Sequence, residues 1–156
     1  MKTSAQPTSP TASISLRLDD QFCFALYSAA LGLNRIYRPL LAPLGLTYSQ
    51  YLVMLVLWEQ DDLMVSEIGA KLYLDSATLT PLLKRMQTQG LISRARGRVD
   101  ERQVIISLTQ EGRQLKRQAA EMPLKLLQSS GCSIEEIGSL KEGLEAFREK
   151  LVAVEC

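Results

Sequence analysis

VSEIGAKLYLDSATLTPLLKRMQTQG, residues 65–90, and LISRARGRVDERQVIISLT, residues 91–109, are the stretch on which the fold of this chain turns. Ile68, Leu72, Leu79, Leu82, Leu83 and Met86 recur at helical spacing and predict one apolar helical face. Leu74-Asp75-Ser76 interrupts that face. The pattern therefore predicts two helices with a tight turn between them, the second capped by Asp75 or Ser76. Gly90 ends the second helix, as a residue tolerant of left-handed backbone is expected to do. Beyond it, two short alternating runs flank residues 97–101, the pattern of a β-hairpin. A helix pair followed by a basic hairpin is the layout of a winged helix-turn-helix, which sets one helix in a DNA major groove and the hairpin beside it.

Charge distribution agrees with that layout. The chain has 156 residues and a net charge of only +1. From Lys84 to Arg117, however, nine basic residues face three acidic ones, leaving the rest of the chain negative. Lys84, Arg85, Arg94, Arg96, Arg98 and Arg102 form the part of this footprint nearest the helix pair and hairpin. A local basic patch on a near-neutral protein fits phosphate contact by one surface. Taken alone, it would sooner describe a solvated charged face, and the motif at the same place reverses that.

Outward from this centre, residues 1–15 are rich in Ser, Thr and Pro and carry no apolar block. We expect a disordered tail, no signal peptide and a cytoplasmic protein. Residues 16–156 are expected to form one domain, with the winged helix-turn-helix over about 47–109 and dimerisation helices over about 19–42 and 110–156. The first helix should run from Asp19 to about Leu41, with Asp19 as N-cap and Phe22, Leu26, Ala29, Leu33, Ile36 and Leu40 along one face. Cys23 would then lie in its first turn, where the helix dipole favours a thiolate and Asp19 and Asp20 oppose one.

Pro43 and Gly45 break the chain, and Thr47 caps a second helix that is apolar almost all round from Leu52 to Trp58. Met64-Val65 is a candidate third strand beside the hairpin. Inside the second helix of the pair, Thr80-Pro81 reads as a competing helix start, with Pro at the first position. From Gln110 to Gln128 the chain reads as one helix kinked at Pro123. Ser133 with Glu136 forms a capping box for the last helix. There Ile134, Ile137, Leu140, Leu144, Phe147, Leu151 and Val154 step by three and four, a coiled-coil-like seam. The similarly striped first helix is its natural partner, which predicts a homodimer and hence a pseudo-palindromic DNA site.

The chain contains no histidine. Ser-His and Cys-His catalytic pairs are excluded, and the commonest zinc ligand is missing. The three cysteines, Cys23, Cys132 and Cys156, do not match metal-ligand spacing. We expect no metal and no cofactor, and no function for the terminal Cys156. No apolar run approaches the ~20 residues needed to span a bilayer.

LDSATLTPLLKRMQTQGLISR, the Asp-Glu-Arg of residues 100–102 and the VIISLT strand together resemble the MarR family of bacterial repressors. Within it, LDSATLTPLLKR looks like the OhrR-like branch that senses organic hydroperoxides, of the two-cysteine type. The resemblance covers nearly the whole chain beyond the tail. It implies a mainly α fold with a small β-wing and a recognition helix that starts near Ser76, with Pro81 inside it. It further implies that Ser76 and Thr78 approach the bases, with Thr80 at the same polar end, and that Arg102 enters the minor groove, oriented by Asp100. Arg94, Arg96 and Arg98 are better read as phosphate contacts that set affinity and register.

The resemblance also implies a reactive Cys23 whose sulfur is hydrogen-bonded by Tyr37 and Tyr48. Tyr27 and Phe22 are further candidates for the pocket wall. Tyr37 lies fourteen residues beyond Cys23. On one helix that is a rise of ~21 Å, so within one chain the two meet only if the helix breaks. Otherwise Tyr37 comes from the partner, and Tyr48 plausibly does too. Cys132 matches the family's resolving cysteine, implying an intersubunit disulfide with Cys23. Two rival functions stand beside the peroxide-sensing repressor: a MarR-type repressor relieved by a reversible ligand, with Cys23 structural, and a thiol peroxidase, which would leave the DNA-reading segment without purpose.

Overall fold

The computed structural model describes residues 15–154. Of the tail expected over residues 1–15, residues 1–14 lie outside the described residues, as does Cys156, while Ser15 is ordered by its bond to Asp20. By internal contacts the chain divides between Leu33 and Asn34.

On the N-terminal side, Leu18–Asp20 form a single 3-10 turn, and helix α1 spans Phe22–Leu41. The expected start at Asp19, with Asp19 as N-cap, is therefore corrected. The Asp20 carboxylate is taken by the Ser15 hydroxyl at 2.6 Å, and the Gln21 amide turns back to donate to the Ser15 and Arg17 carbonyls. These local side-chain bonds hold a separate turn ahead of the helix. Cys23 remains in the first turn of α1.

On the C-terminal side, Ala42–Leu44 make a second 3-10 turn, closed by Gly45. Helix α2, Tyr48–Glu59, opens with a complete capping box between Thr47 and Gln50. Its apolar side chains are buried or half-buried apart from Leu55, and Ser49 and Glu59 are exposed. Strand β1, Leu63–Met64, follows, then helix α3, Val65–Leu72, and helix α4, Ser76–Thr88. The third strand is thus one residue earlier than Met64-Val65. Val65 opens α3 because the Glu67 carboxylate accepts the Met64 N–H at 2.7 Å. Strands β2, Ile92–Arg96, and β3, Val104–Leu108, complete an antiparallel sheet of order β1-β3-β2. The register pairs Ile92 with Leu108, Arg96 with Val104, and Leu63 with Ile106.

Helix α5 covers Gln110–Ala119, helix α6 Met122–Ser130 and helix α7 Ile134–Val154. The single kinked helix expected over 110–128 is therefore two. Proline has no N–H to continue the ladder, and its ring clashes with the carbonyl four residues back. The chain accordingly ends α5 at Ala119 and restarts, with Pro123 in the first turn of α6. The capping box of α7 forms as expected, Ser133 N–H to Glu136 at 2.7 Å and Glu136 N–H to Ser133 Oγ at 3.1 Å.

The core is the apolar face read from the sequence, closed by the sheet. Ile68, Leu79, Leu83 and Met86 are fully buried with Met54, Leu57, Ile92 and Ile106. The seams of the end helices are different. Leu26 and Leu33 on α1, and Ile134, Leu140, Leu144 and Leu151 on α7, are exposed. Exposed apolar residues at heptad-like spacing form a face suited to another helix.

Candidate functional site

Helix α4 begins where a recognition helix should. Asp75 is its N-cap, accepting the Thr78 N–H at 2.7 Å. That backbone bond first, and the Thr78 hydroxyl second, hold the Asp75 carboxyl below its usual range. The competing start at Thr80-Pro81 is not adopted, and Pro81 lies inside the helix. Ser76 and Thr78 are exposed at the leading end, Thr80 is half-buried, and Lys84 and Arg85 are exposed farther along. At the other end Gly90 takes φ +75°, a left-handed conformation that L side chains rarely adopt, and turns the chain into the wing.

The wing hairpin turns over residues 97–103, where the Gly97 N–H donates to the Gln103 carbonyl at 2.8 Å. Asp100 Oδ1 accepts the Arg102 N–H at 3.0 Å and stands 3.8 Å from its Nε. The Arg102 side chain is almost fully exposed at 96%. Arg96 and Arg98 are exposed too. Arg94 differs: it is half-buried, and its Nε is buried with no hydrogen-bond partner among the described residues. Only the outer part of that guanidinium is free to reach a phosphate.

Asp61 holds the wing to the core, a role the sequence reading missed. One oxygen accepts the Leu108 N–H at 2.8 Å and the other pairs with Arg113 at 2.7 Å. Nothing local marks it, because its partners lie 47 and 52 residues away.

The thiol side has three parts. Cys23 is exposed and Cys132 half-buried, both as free thiols. Tyr27 and Phe22 are exposed. Tyr37 and Tyr48 lie against each other, ring centroids 4.8 Å apart, and Tyr51 joins them at 5.7 Å from Tyr37. The sequence reading missed Tyr51, although its place one turn after Tyr48 on a buried helix was a usable signal. Burial first, then the neighbouring phenols Tyr51 and Tyr48, pushes Tyr37 up to about 12. Burial raises Tyr48 and Tyr51 as well. These phenols are hydrogen-bond donors at neutral pH. Cys132 sits after Gly131, its N–H on Ser130 Oγ at 3.2 Å, in a shallow recess with Glu135, Glu136, Ser139 and Leu140.

The raised value has a measurable consequence. Below pH 10 folded and unfolded states hold the Tyr37 proton alike. Between pH 10 and about 12 the unfolded chain loses it first, so stability falls over that window. An ultraviolet titration is expected to show a tyrosinate step near pH 12 that Tyr37→Phe removes. A step confined to pH 10 in both proteins would contradict the burial of this phenol.

Among the described residues, no group of three or more His, Cys, Asp or Glu side chains is placed to hold a metal, and no single helix is long and apolar enough to cross a membrane.

A recognition helix with a free polar leading end, followed by an arginine-tipped wing, defines a winged-helix DNA-binding regulator. Residues 35–119 match the family model described as "Transcriptional regulator SarA/Rot". The organic hydroperoxide resistance transcriptional regulator of Bacillus subtilis is 47% identical over 136 residues, 87% of this chain and 92% of that one. The structure of reduced AbfR bound to DNA, AbfR being a protein of Staphylococcus epidermidis, superposes with a TM-score of 0.72 at 38% identity, over 87% of this chain and 95% of that one. Disulfide-formed AbfR superposes with a TM-score of 0.59 at 36% identity, over 84% and 92%. The chain belongs to the MarR family of transcriptional regulators, in its OhrR-type branch.

Proposed function

We propose that this regulator is a homodimeric repressor that holds a pseudo-palindromic operator while Cys23 is reduced and releases it when an organic hydroperoxide oxidises that thiol. The observation that carries the reading is an exposed Cys23 in the first turn of α1, in a chain whose Tyr37 and Tyr48 form a buried cluster of protonated phenols. Helix α1 is unbroken from Phe22 to Leu41, so the Tyr37 that serves a given Cys23 is the partner subunit's. Sensing and dimerisation then share one interface, built from the exposed seams of α1 and α7.

The chemistry balances without a cofactor. The Cys23 thiolate, stabilised by phenol hydrogen bonds, attacks the outer peroxide oxygen. The O–O bond breaks, the alkoxide leaves and takes up a proton as an alcohol, and Cys23 becomes a sulfenic acid. The Cys132 thiol of the other subunit then attacks that sulfur, water leaves, and an intersubunit disulfide forms. Closing it requires Cα atoms within about 7 Å, so helices that start farther apart must move. On DNA, Ser76, Thr78 and Thr80 face the bases, Lys84, Arg85, Arg94, Arg96 and Arg98 serve phosphates, and Arg102 enters the minor groove. Residues 47–109 are the reading head, and α1 with the segment after 110 the dimerisation part.

A second reading has one feature in its favour. Tyr51, Leu55, Trp58, Ala119, Ala120 and Pro123 line a largely apolar recess together with Glu59 and Lys116, a place for a reversible ligand. One experiment separates the two. Operator affinity is measured before and after one equivalent of an organic hydroperoxide, on wild type, Cys23→Ser and Cys132→Ser. The expected result is loss of binding in wild type, reversal by dithiol, and no response from Cys23→Ser. Cys132→Ser should form the sulfenic acid and no intersubunit disulfide. Equal release by wild type and Cys23→Ser would overturn the reading.

A further inference from the structure

Among the described residues, Gln50 is the buried polar side chain of the core, 4% exposed. Its carbonyl oxygen is committed to the capping box of α2, accepting the Thr47 N–H at 3.0 Å. The remaining half of the amide can only donate. It does so across 39 residues: Gln50 Nε2 donates to Gln89 Oε1 at 2.9 Å. Gln89 is the C-cap of the recognition helix α4, directly before Gly90 and the wing. Capping α2 needs only the Thr47–Gln50 pair, so the bond to Gln89 serves something else.

Its position indicates what. Tyr48 lies between Thr47 and Gln50, and its ring rests on Tyr37. One buried amide therefore joins the turn that carries the sensor tyrosines to the junction of recognition helix and wing. We propose that Gln50 and Gln89 are the positioning residues that couple the tyrosine cluster to the DNA-reading head. The inference rests on the sensing reading above and names the contact through which it acts.

The bond has two states only. While it is made, the first turn of α2 and the end of α4 hold one relative position. If oxidation draws Tyr37 or Tyr48 away, either Gln89 follows or a buried N–H loses its partner, and burial makes the second alternative unfavourable. Gln89 follows, and α4 turns out of register with its half-site. Coupling is reciprocal, so operator binding must also steady the turn at Thr47 and Gln50.

Gln89 is exposed, so its substitution removes no core packing and takes away only the acceptor of Gln50 Nε2. The test uses full-length Gln89→Ala, Gln89→Lys and Gln89→Glu, with Cys23 oxidation followed by mass. Glutamate keeps an acceptor for Gln50 Nε2, whereas lysine places a donor against a donor. The readout is the ratio of operator Kd in oxidised and reduced protein. With Cys23 fully oxidised, Gln89→Ala and Gln89→Lys are expected to shrink that ratio about tenfold, and Gln89→Glu to restore it. A second arm needs no peroxide. In reduced protein, operator binding should slow amide exchange at Thr47 and Gln50 in wild type and not in Gln89→Ala. A Gln89→Ala ratio equal to wild type, or equal exchange protection, overturns the coupling. A wild type whose affinity ignores hydroperoxide overturns the sensing reading instead, and the exchange arm then decides the coupling by itself.

Discussion

Gly112→Ala is expected to destabilise the protein by about 3–5 kcal/mol, although alanine ordinarily strengthens a helix interior by about 1 kcal/mol over glycine. The sign is set by space. A Cβ on Gly112 would stand 2.2 Å from the Leu91 carbonyl oxygen and 3.2 Å from Leu108 Cδ2. The first of these is backbone in the junction between α4 and the wing, and cannot rotate aside. That same carbonyl accepts the Thr109 N–H at 3.1 Å, and the Gly112 carbonyl accepts the Trp58 indole N–H at 2.8 Å. Moving α5 outward to admit the methyl loosens both bonds, each worth about 1 kcal/mol, on top of the overpacking strain. At about 2–4 °C per kcal/mol for a chain of this size, thermal unfolding should shift down by roughly 6–20 °C. A melting temperature at or above wild type would show that α5 does not pack against Leu91 as described.

Arg102→Ala is expected to leave stability almost unchanged and to weaken operator binding severely. Its guanidinium is exposed and its Nε is 3.8 Å from Asp100, a pair of little worth to the fold. What Asp100 contributes locally is the backbone bond to the Arg102 N–H, which the alanine variant keeps. On DNA the balance differs, because one arginine contact is worth about 1–3 kcal/mol. A symmetric dimer loses it twice, about 2–6 kcal/mol, so affinity should fall roughly thirtyfold at the least. The slope of log affinity against log salt should also decrease by about one per protomer. An unchanged slope with lost affinity would mean that Arg102 shapes the wing without touching DNA. Asp100→Asn, which retains an oxygen for the backbone bond, should lose much less.

Much of the reading head was legible because its signals are local. Asp75 caps α4 through Thr78, and Thr47 and Gln50 cap each other, as do Ser133 and Glu136, all within one turn. Ile68, Leu79, Leu83 and Met86 reveal a buried face by spacing alone. The start of α4 at Ser76 came from the family pattern, since Thr80-Pro81 offered a local alternative, and Asp75 is what decides between them.

The misreadings have equally specific causes. Asp19 looked like an N-cap because any aspartate before an apolar helix does, and the Ser15–Asp20 and Gln21 bonds that hold a separate turn were not visible as a pattern. Pro123 looked like a kink because nothing in the sequence says whether a helix bends at proline or restarts there.

By itself, then, the sequence determined the helix pair and basic hairpin of the reading head and the caps at Thr47, Asp75 and Ser133, because each depends on neighbours within about four residues. Tertiary structure alone decided that Tyr51 joins Tyr37 and Tyr48, that Asp61 ties β3 to α5, and that Gln50 reaches Gln89. Those partners are distant in the chain and leave no periodic trace, and only the close packing of the folded core brings such groups within a few ångströms.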